Sequence, residues 1–244
     1  MTDAIGATAA SAKRADIMSA LRTASASTGV SFDFLVKTAK RESNFDPNAK
    51  AGTSTATGLF QFTEATWLNM LERYGARYGV QTGNLTRQQV LDLRKDAKLS
   101  ALMAGELASE NARILQKKLG RPATSAELYT AHFMGPSDAA RLVEAARSNR
   151  SGAAADLFPS AALANENIFR GKDGAKLTPA QLYARLTGAA IGDADSGKVP
   201  AAQFGAPPPS MLSQPEAILQ AHIGAVSMTS SLMTALFGLQ ETKR

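Results

Sequence analysis

Apolar residues recur at three- and four-residue steps along most of the segment 1–187, and long alternating apolar and polar stretches are absent. This spacing is typical of amphipathic helices that bury one face. It predicts helices near 12–27, 31–43, 64–74, 86–93, 97–119, 125–134, 137–147 and 178–187. We therefore predict an all-α protein, or an α protein with a minor β hairpin.

The residues at the predicted helix ends support these boundaries. A Thr followed three residues later by Gln or Glu is the spacing of a capping box, in which the two side chains bond each other's backbone N–H. This spacing occurs three times, in Thr86 with Gln89, Thr124 with Glu127, and Thr178 with Gln181. Glycines follow several of the apolar segments, where a left-handed residue ends a helix.

The pattern changes after Thr187. The segment 188–209 contains four Gly and four Pro without periodic apolar positions, which is the composition of a linker. The segment 210–244 is again apolar at helical spacing, and it predicts an amphipathic C-terminal helix. Such a helix would dock on the main domain, self-associate, or bind another protein through residues 210–240.

Charge divides the chain at the same place. The protein has 27 Lys and Arg against 21 Asp and Glu, a net charge of +6. The segment 1–187 holds all of the basic side chains except Lys198, Lys243 and Arg244, so the whole excess lies there. A basic domain favours anionic partners. No run of Lys and Arg interleaves with aromatic residues, which argues against nucleic acid as that partner.

Composition also limits which catalytic groups and which kinds of segment can be expected. The chain has no Cys and two His, so we expect neither a thiol nucleophile nor a metal site, and no cofactor. No apolar run approaches the roughly 18 to 20 residues that span a bilayer. The N-terminal segment lacks the apolar stretch of about 7 to 15 residues found in signal peptides, so no signal peptide is visible.

Glu42 is out of place in the second predicted helix. At 100° per residue it continues the stripe of Leu35 and Ala39, which should be buried. Burial and the negative end of the helix dipole both disfavour a charged carboxylate, and a general acid must keep its proton near neutral pH. Alternatively, Glu42 pairs with Lys40 or Arg41, or turns to solvent.

The segment that follows, RESNFDPNAKAGTSTATGLFQFTEATW, resembles the lytic transglycosylases with a lysozyme-like SLT domain. Their signature is a catalytic Glu followed by Ser, then Phe-x-Pro-x-Ala, Gly-Leu-x-Gln and Ala-Thr. The matching residues are Glu42, Ser43, Phe45, Pro47, Ala49, Ala56, Gly58, Leu59, Gln61, Ala65 and Thr66. A second block, usually Ala-Tyr-Asn-x-Gly, corresponds to Ala131, His132, Phe133, Met134 and Gly135. The resemblance covers about 15–150, and we assign 1–187 to this catalytic domain with a helical extension.

The resemblance implies roles for several residues. Glu42 would be the general acid and then the general base. Ser43 would bind substrate or orient the Glu42 carboxyl. Gly58 would let the backbone approach a glycan or adopt a positive φ. Gln61 would offer its amide to sugar hydroxyl and N-acetyl groups, or would instead tie its own loop to the backbone.

The second block departs from the family pattern. His132 stands where the family has Tyr, and an imidazole could still donate to a carboxylate or an N-acetyl carbonyl. Tyr129, one turn earlier, could supply the missing phenol instead, although core packing is the role we favour for it. Phe60 and Phe62 flank Gln61, and we expect both in the core.

A hydrolytic glycosidase normally uses two carboxylates. The sequence has no obvious second one, because Asp46, Glu64 and Glu106 are better explained as a loop acid, a helix first-turn acid and a surface acid. In the resembled family the N-acetyl group and the 6-hydroxyl of the substrate replace it.

The expected function is therefore non-hydrolytic cleavage of the β-1,4 bond between N-acetylmuramic acid and N-acetylglucosamine in peptidoglycan, leaving a 1,6-anhydro end. A hydrolytic muramidase and a non-catalytic peptidoglycan-binding or assembly factor are the alternatives. The substrate implies the periplasm or cell wall, reached by signal-independent export, by a secretion or flagellar apparatus, or by phage lysis.

Overall fold

Helices make up nearly all of the regular secondary structure in the computed structural model, which describes residues 2–52 and 54–190. They are α1 (Thr2–Thr28), α2 (Phe32–Ser43), α3 (Glu64–Tyr74), α4 (Arg87–Asp92), α5 (Ala97–Leu119), α6 (Ser125–Met134), α7 (Pro136–Arg147), α8 (Ala154–Leu157), α9 (Pro159–Ala164) and α10 (Pro179–Ala190). Three short 3₁₀ turns cover Gly75–Tyr78, Leu93–Lys95 and Glu166–Ile168. Within these ranges β structure is limited to isolated bridges, among them those of Lys50 with Thr57, Thr57 with Phe62, and Arg170 with Lys176. The all-α prediction is confirmed.

Most helix boundaries lie within one residue of those predicted from apolar spacing. Three differences stand out. Helix α1 begins at Thr2 rather than near residue 12, α10 continues to Ala190, and the short helices α8 and α9 were not predicted. Helices of four and six residues are too short to show a helical period, so apolar spacing cannot reveal them.

The three predicted capping boxes are present. Gln89 N–H donates to Thr86 Oγ1 at 3.3 Å, and Thr86 N–H donates to Gln89 Oε1 at 2.8 Å. The same reciprocal pairs form at the starts of α6 and α10. These bonds satisfy backbone N–H groups that have no partner inside the helix.

The chain divides into two compact units, whose described parts are residues 2–109 and 110–190. In the first unit α1 packs on α2, and α3 packs on α4. Its largest fully buried side chains are Leu21, Leu35, Leu59, Trp67, Met70 and Met103. Trp67 also donates its indole N–H to the Val90 carbonyl at 2.8 Å, so the apolar core is tied to α4 by a polar bond.

In the second unit α6, α7 and α10 pack against one another around Leu142, Leu182 and Leu186. Glu127, only 1% exposed, accepts from both terminal nitrogens of Arg121, at 2.9 and 2.6 Å, and from the Thr124 backbone N–H. Burial alone would raise the pKa of Glu127, but these hydrogen bonds outweigh it and hold the pKa below its usual value. This buried carboxylate is thus a fixed charge at the start of α6.

Much of the predicted C-terminal region lies outside the described residues. The predicted linker at 188–209 overlaps α10 as far as Ala190, and its remainder and the helix predicted at 210–244 are not among them. Within the described part, no helix combines the length and apolarity that crossing a bilayer requires.

Candidate active site

Glu42 lies in the last turn of α2. The buried face of this helix is formed by Phe34, Leu35, Thr38 and Ala39. The side chain of Glu42 follows this face but is half-buried, because the helix ends one residue later. A carboxyl group at the edge of a buried face can be reached by a ligand and is also partly removed from water.

The chain leaves α2 through an unusual turn. Asn44 and Phe45 have φ values of 50° and 65°, in the left-handed region that L-residues rarely adopt. The Asn44 N–H donates to the Lys40 carbonyl at 2.9 Å, and the Phe45 N–H donates to the Ala39 carbonyl at 3.3 Å. Two consecutive non-glycine residues in this conformation indicate backbone strain directly after Glu42.

Ser43 connects the end of α2 to the loop formed by residues 49–62. Its hydroxyl lies 2.9 Å from the carbonyl oxygen of buried Leu59 and 3.2 Å from that of Ala39. The Leu59 bond bridges two segments 16 residues apart. The side chain of Ser43 therefore sets the position of the loop relative to Glu42.

Gln61 uses its amide nitrogen within the same loop. Nε2 donates to the Gly58 carbonyl at 2.8 Å and to the Ala49 carbonyl at 3.2 Å. Its φ is 48°, so it is a third strained residue in this region. Both bonds use Nε2, which leaves Oε1 as the atom suited to accept from a ligand.

Gly58 is required by the packing of the loop itself. Its φ is 87°, and a Cβ atom at this position would lie 2.2 Å from the Arg94 carbonyl oxygen. Of the two explanations drawn from the sequence, positive φ is observed. The close approach that needs the missing Cβ is to the protein's own backbone.

Arg94 is a supporting residue that the sequence analysis missed. It is buried, and its guanidinium donates to the carbonyl oxygens of Leu91, Thr55 and Phe62 at 2.9, 2.7 and 3.1 Å. Burial lowers its pKa. Arg94 lies on a short 3₁₀ turn with no periodic pattern, so only the tertiary fold shows which carbonyls surround it.

Each of the three other acids considered above is engaged by a basic side chain. Asp46 lies 3.6 Å from Lys13 Nζ, and Glu64 pairs with Arg87 at 3.0 Å. The prediction that Glu106 is a surface acid was wrong. It is 3% exposed and accepts from Arg77 at 2.8 Å and from the Tyr78 hydroxyl at 2.6 Å.

The side chains of Tyr78 and Arg77 explain why Glu106 can be buried. Both approach Glu106 from the 3₁₀ turn after α3 and satisfy a carboxylate on the inner face of α5. Burial raises the pKa of Tyr78, and its hydrogen bond to Glu106 raises it further. The positions of these donors depend on the tertiary fold, which apolar spacing does not describe.

His132 and Tyr129 both lie on α6 in the second unit. Tyr129 is buried, and its ring stacks on the half-buried imidazole of His132 with centroids 6.3 Å apart and an interplanar angle of 29°. Within this unit the buried Tyr129 ring packs against one face of the His132 imidazole. Phe60 and Phe62, in the first unit, are both buried, as expected.

Residues 19–125 match the family model for the transglycosylase SLT domain. The chain contains an SLT domain. This finding confirms, over the matched segment, the resemblance to an SLT domain that was drawn from the motif.

The SLT domain brings several of the expected site residues together. Ser43 bonds the loop at Leu59, and Gln61 bonds Gly58, so both are connected to the end of α2 that carries Glu42. Tyr129 and His132 lie beyond the matched segment, which ends at residue 125. Their contribution to a site stays a prediction.

Proposed function

We propose that this protein is a lytic transglycosylase that cleaves the β-1,4 bond between N-acetylmuramic acid and N-acetylglucosamine. The position of Glu42 carries the proposal. It lies inside the matched SLT domain, half-buried at the end of α2, beside a strained turn and a loop closed by hydrogen bonds. Strained residues held in place by surrounding contacts are typical of active sites.

Glu42 would act first as an acid. Its carboxyl proton passes to the glycosidic oxygen as the bond from that oxygen to C1 of the muramic acid breaks. The N-acetyl oxygen of the same sugar stabilises the positive charge that develops at C1. The Glu42 carboxylate then accepts the proton of the 6-hydroxyl of that sugar. The 6-hydroxyl oxygen forms a bond to C1 in the same step. No water is consumed, and the product has a 1,6-anhydro end.

The surroundings of the other acids support a mechanism with one enzyme carboxylate. Asp46, Glu64 and Glu106 pair with Lys13, Arg87 and Arg77 respectively. A paired carboxylate is less available as a base or nucleophile, because its cationic partner stabilises the charged, resting form. Nucleophiles supplied by the substrate itself meet this requirement.

Substrate recognition would use groups around Glu42. Gln61 Oε1 can accept from a sugar hydroxyl or an N-acetyl N–H, while Nε2 keeps the loop closed. His132 belongs to the second unit, and we propose it separately as a substrate contact, because its half-buried imidazole stacks on buried Tyr129. If so, His132→Ala should raise the sacculus concentration needed for half-maximal activity, and an unchanged value would exclude this contact.

The deciding experiment is mass spectrometry of purified sacculi digested by the wild type, Glu42→Gln and Glu64→Gln. The wild type should release muropeptides with anhydro ends. Glu42→Gln should lose at least about 100-fold in rate, the usual contribution of general acid–base catalysis. Glu64→Gln is the matched control, since its carboxylate starts α3 and pairs with Arg87, and it should stay active.

Other products would identify the other candidate functions. Reducing ends without anhydro sugars would show a hydrolytic muramidase. Retained sacculus binding without any cleavage would show a binding or assembly factor. Full activity of Glu42→Gln would contradict the assignment of the acid.

The substrate places the proposed activity in the periplasm or cell wall. Fractionation of intact, unlysed cells tests this, and a strictly cytoplasmic protein would contradict it. Residues 210–240 are the proposed contact for a protein partner or a second copy. Crosslinking of the full chain would detect either association.

A further inference from the structure

Helix α1 begins well before the SLT match at residue 19, and two of its earlier residues contact the turn after Glu42. The guanidinium carbon of Arg14 lies 4.4 Å from the centroid of the Phe45 ring. Lys13 Nζ lies 3.6 Å from Asp46 Oδ1. The matched segment contains the turn but not the helix residues that cover it.

Phe45 needs such support because its conformation is unfavourable. It has a φ of 65° and follows Asn44 with a φ of 50°. Phe45 as a whole is 6% exposed, so the strained backbone is held by burial of the residue. A cation over the ring face adds an attraction that depends on the ring staying in place.

The Lys13 contact acts on the next residue. Asp46 Oδ1 also accepts from the Asn48 N–H at 3.0 Å, and the Asp46 N–H donates to the Ser43 carbonyl at 3.0 Å. Asp46 is therefore bonded to both sides of the turn. A lysine that holds this carboxylate restrains the segment from Ser43 to Asn48.

We propose that Arg14 and Lys13 are positioning residues for the transglycosylase reaction. They hold the Asn44–Asp46 turn and so keep the end of α2, with the Glu42 carboxyl, in its reactive position. Neither residue needs to touch the glycan. This inference rests on the proposed role of Glu42 and adds the middle of α1 to the residues that position it.

The same helix supplies a matched control. Arg22 lies over the ring of Phe32 with 5.4 Å between the guanidinium carbon and the centroid. Phe32 is the first residue of α2, at the end opposite Glu42. Arg14→Met and Arg22→Met therefore remove the same charge and the same type of contact, one just after the end of α2 and the other at its start.

The experiment compares both full-length variants with the wild type on sacculi. Arg14→Met should lower turnover at saturating sacculi roughly tenfold with little change in half-saturating concentration, because misplaced catalytic groups slow the chemical step. Arg22→Met should keep wild-type turnover. Arg14→Lys, which restores a cation above the ring, should recover part of the loss, and Lys13→Met should show a smaller loss.

Amide hydrogen exchange gives a readout that does not depend on activity. The Phe45 N–H, which bonds the Ala39 carbonyl, should exchange faster in Arg14→Met and at the wild-type rate in Arg22→Met. Equal turnover and equal exchange in the two variants would overturn the inference. A change in half-saturating concentration alone would overturn it too, since that indicates a substrate contact.

Failure of the proposed function is distinguishable from failure of this inference. In the first case the wild type releases no anhydro muropeptides, or Glu42→Gln is fully active. In the second case both behave as proposed, and Arg14→Met is indistinguishable from Arg22→Met.

Discussion

Several residues near Glu42 have unfavourable backbone conformations that the surrounding contacts hold in place. Asn44, Phe45 and Gln61 have positive φ, and each such conformation costs roughly 1–3 kcal/mol. Asn149, in the second unit, is the other non-glycine example among the described residues. The cost is offset by the buried ring of Phe45 and the two bonds of Gln61 Nε2. The loop and the turn therefore keep one geometry before substrate arrives.

Gly58→Ala tests how tightly this loop is packed. A Cβ would lie 2.2 Å from the Arg94 carbonyl oxygen, at a φ of 87°. The clash is with backbone, so we expect a loss of about 3 kcal/mol or more in the free energy of unfolding. Gly79→Ala is the control, since its φ is 76° but no atom lies within 4 Å of the added Cβ. It should cost only about 1 kcal/mol.

Urea unfolding followed by far-ultraviolet circular dichroism measures both glycine variants. The difference between them reports the clash alone, since both pay for positive φ. If Gly58→Ala were no less stable than Gly79→Ala, the close approach of Gly58 to Arg94 would be wrong. Gly58→Ala should also lose lytic activity, because the loop carries Gln61.

At the scale of the element, helix boundaries followed from local sequence. Apolar spacing and capping residues act over a few positions, so the bounds of α5 and α6 could be predicted to the residue. Long-range contacts could not be predicted in this way. Glu106 is buried because Arg77 and Tyr78 reach it from another element, and Arg94 is buried among carbonyls of a distant loop. The motif located Glu42, whereas the contacts that hold it required the fold.

The start of α6 contains a carboxylate whose charge contributes to stability. Because the hydrogen bonds of Glu127 hold its folded-state pKa below the unfolded value of 4.5, its contribution is fully present above about pH 4.5. The contribution is lost as pH falls through the folded pKa. Glu127→Gln removes the charge and should cost about 2 kcal/mol at pH 7, the usual value of hydrogen bonds to a charged group.

Thermal unfolding of the full chain between pH 7 and pH 3 would measure this contribution. The wild type should unfold at a higher temperature than Glu127→Gln at pH 7, and the two should converge as the pH is lowered. Asp156→Asn, which alters an exposed acid in a 3.7 Å pair with Lys176, should show no such gap. A gap that widened in acid would contradict the assigned direction.

At the scale of the whole molecule, the SLT domain occupies less than half of the chain. The match covers 19–125, whereas α7 to α10 and the C-terminal residues lie beyond it. The positive charge is concentrated in the matched segment, since 19–125 holds 15 Lys and Arg against 9 Asp and Glu, whereas 126–187 holds 7 against 6. A long anionic polymer should therefore be attracted chiefly by the surface of the SLT domain.

That distribution predicts salt-dependent binding to sacculi. Peptidoglycan carries carboxylates on its stem peptides, and the segment 1–187 has a net charge of +7, from 24 Lys and Arg against 17 Asp and Glu. At an ionic strength of about 0.1 M charges are screened beyond ~10 Å, so raising the salt should weaken the attraction between these surfaces.

Glu42→Gln is the protein to use in the binding experiment, because it should bind without digesting the polymer. Its dissociation constant for sacculi should rise several-fold between low and moderate salt. Sacculi whose carboxylates have been esterified provide the control, on which binding should be weaker and nearly independent of salt. If binding to native sacculi were equally insensitive to salt, the positive charge would have no part in substrate capture.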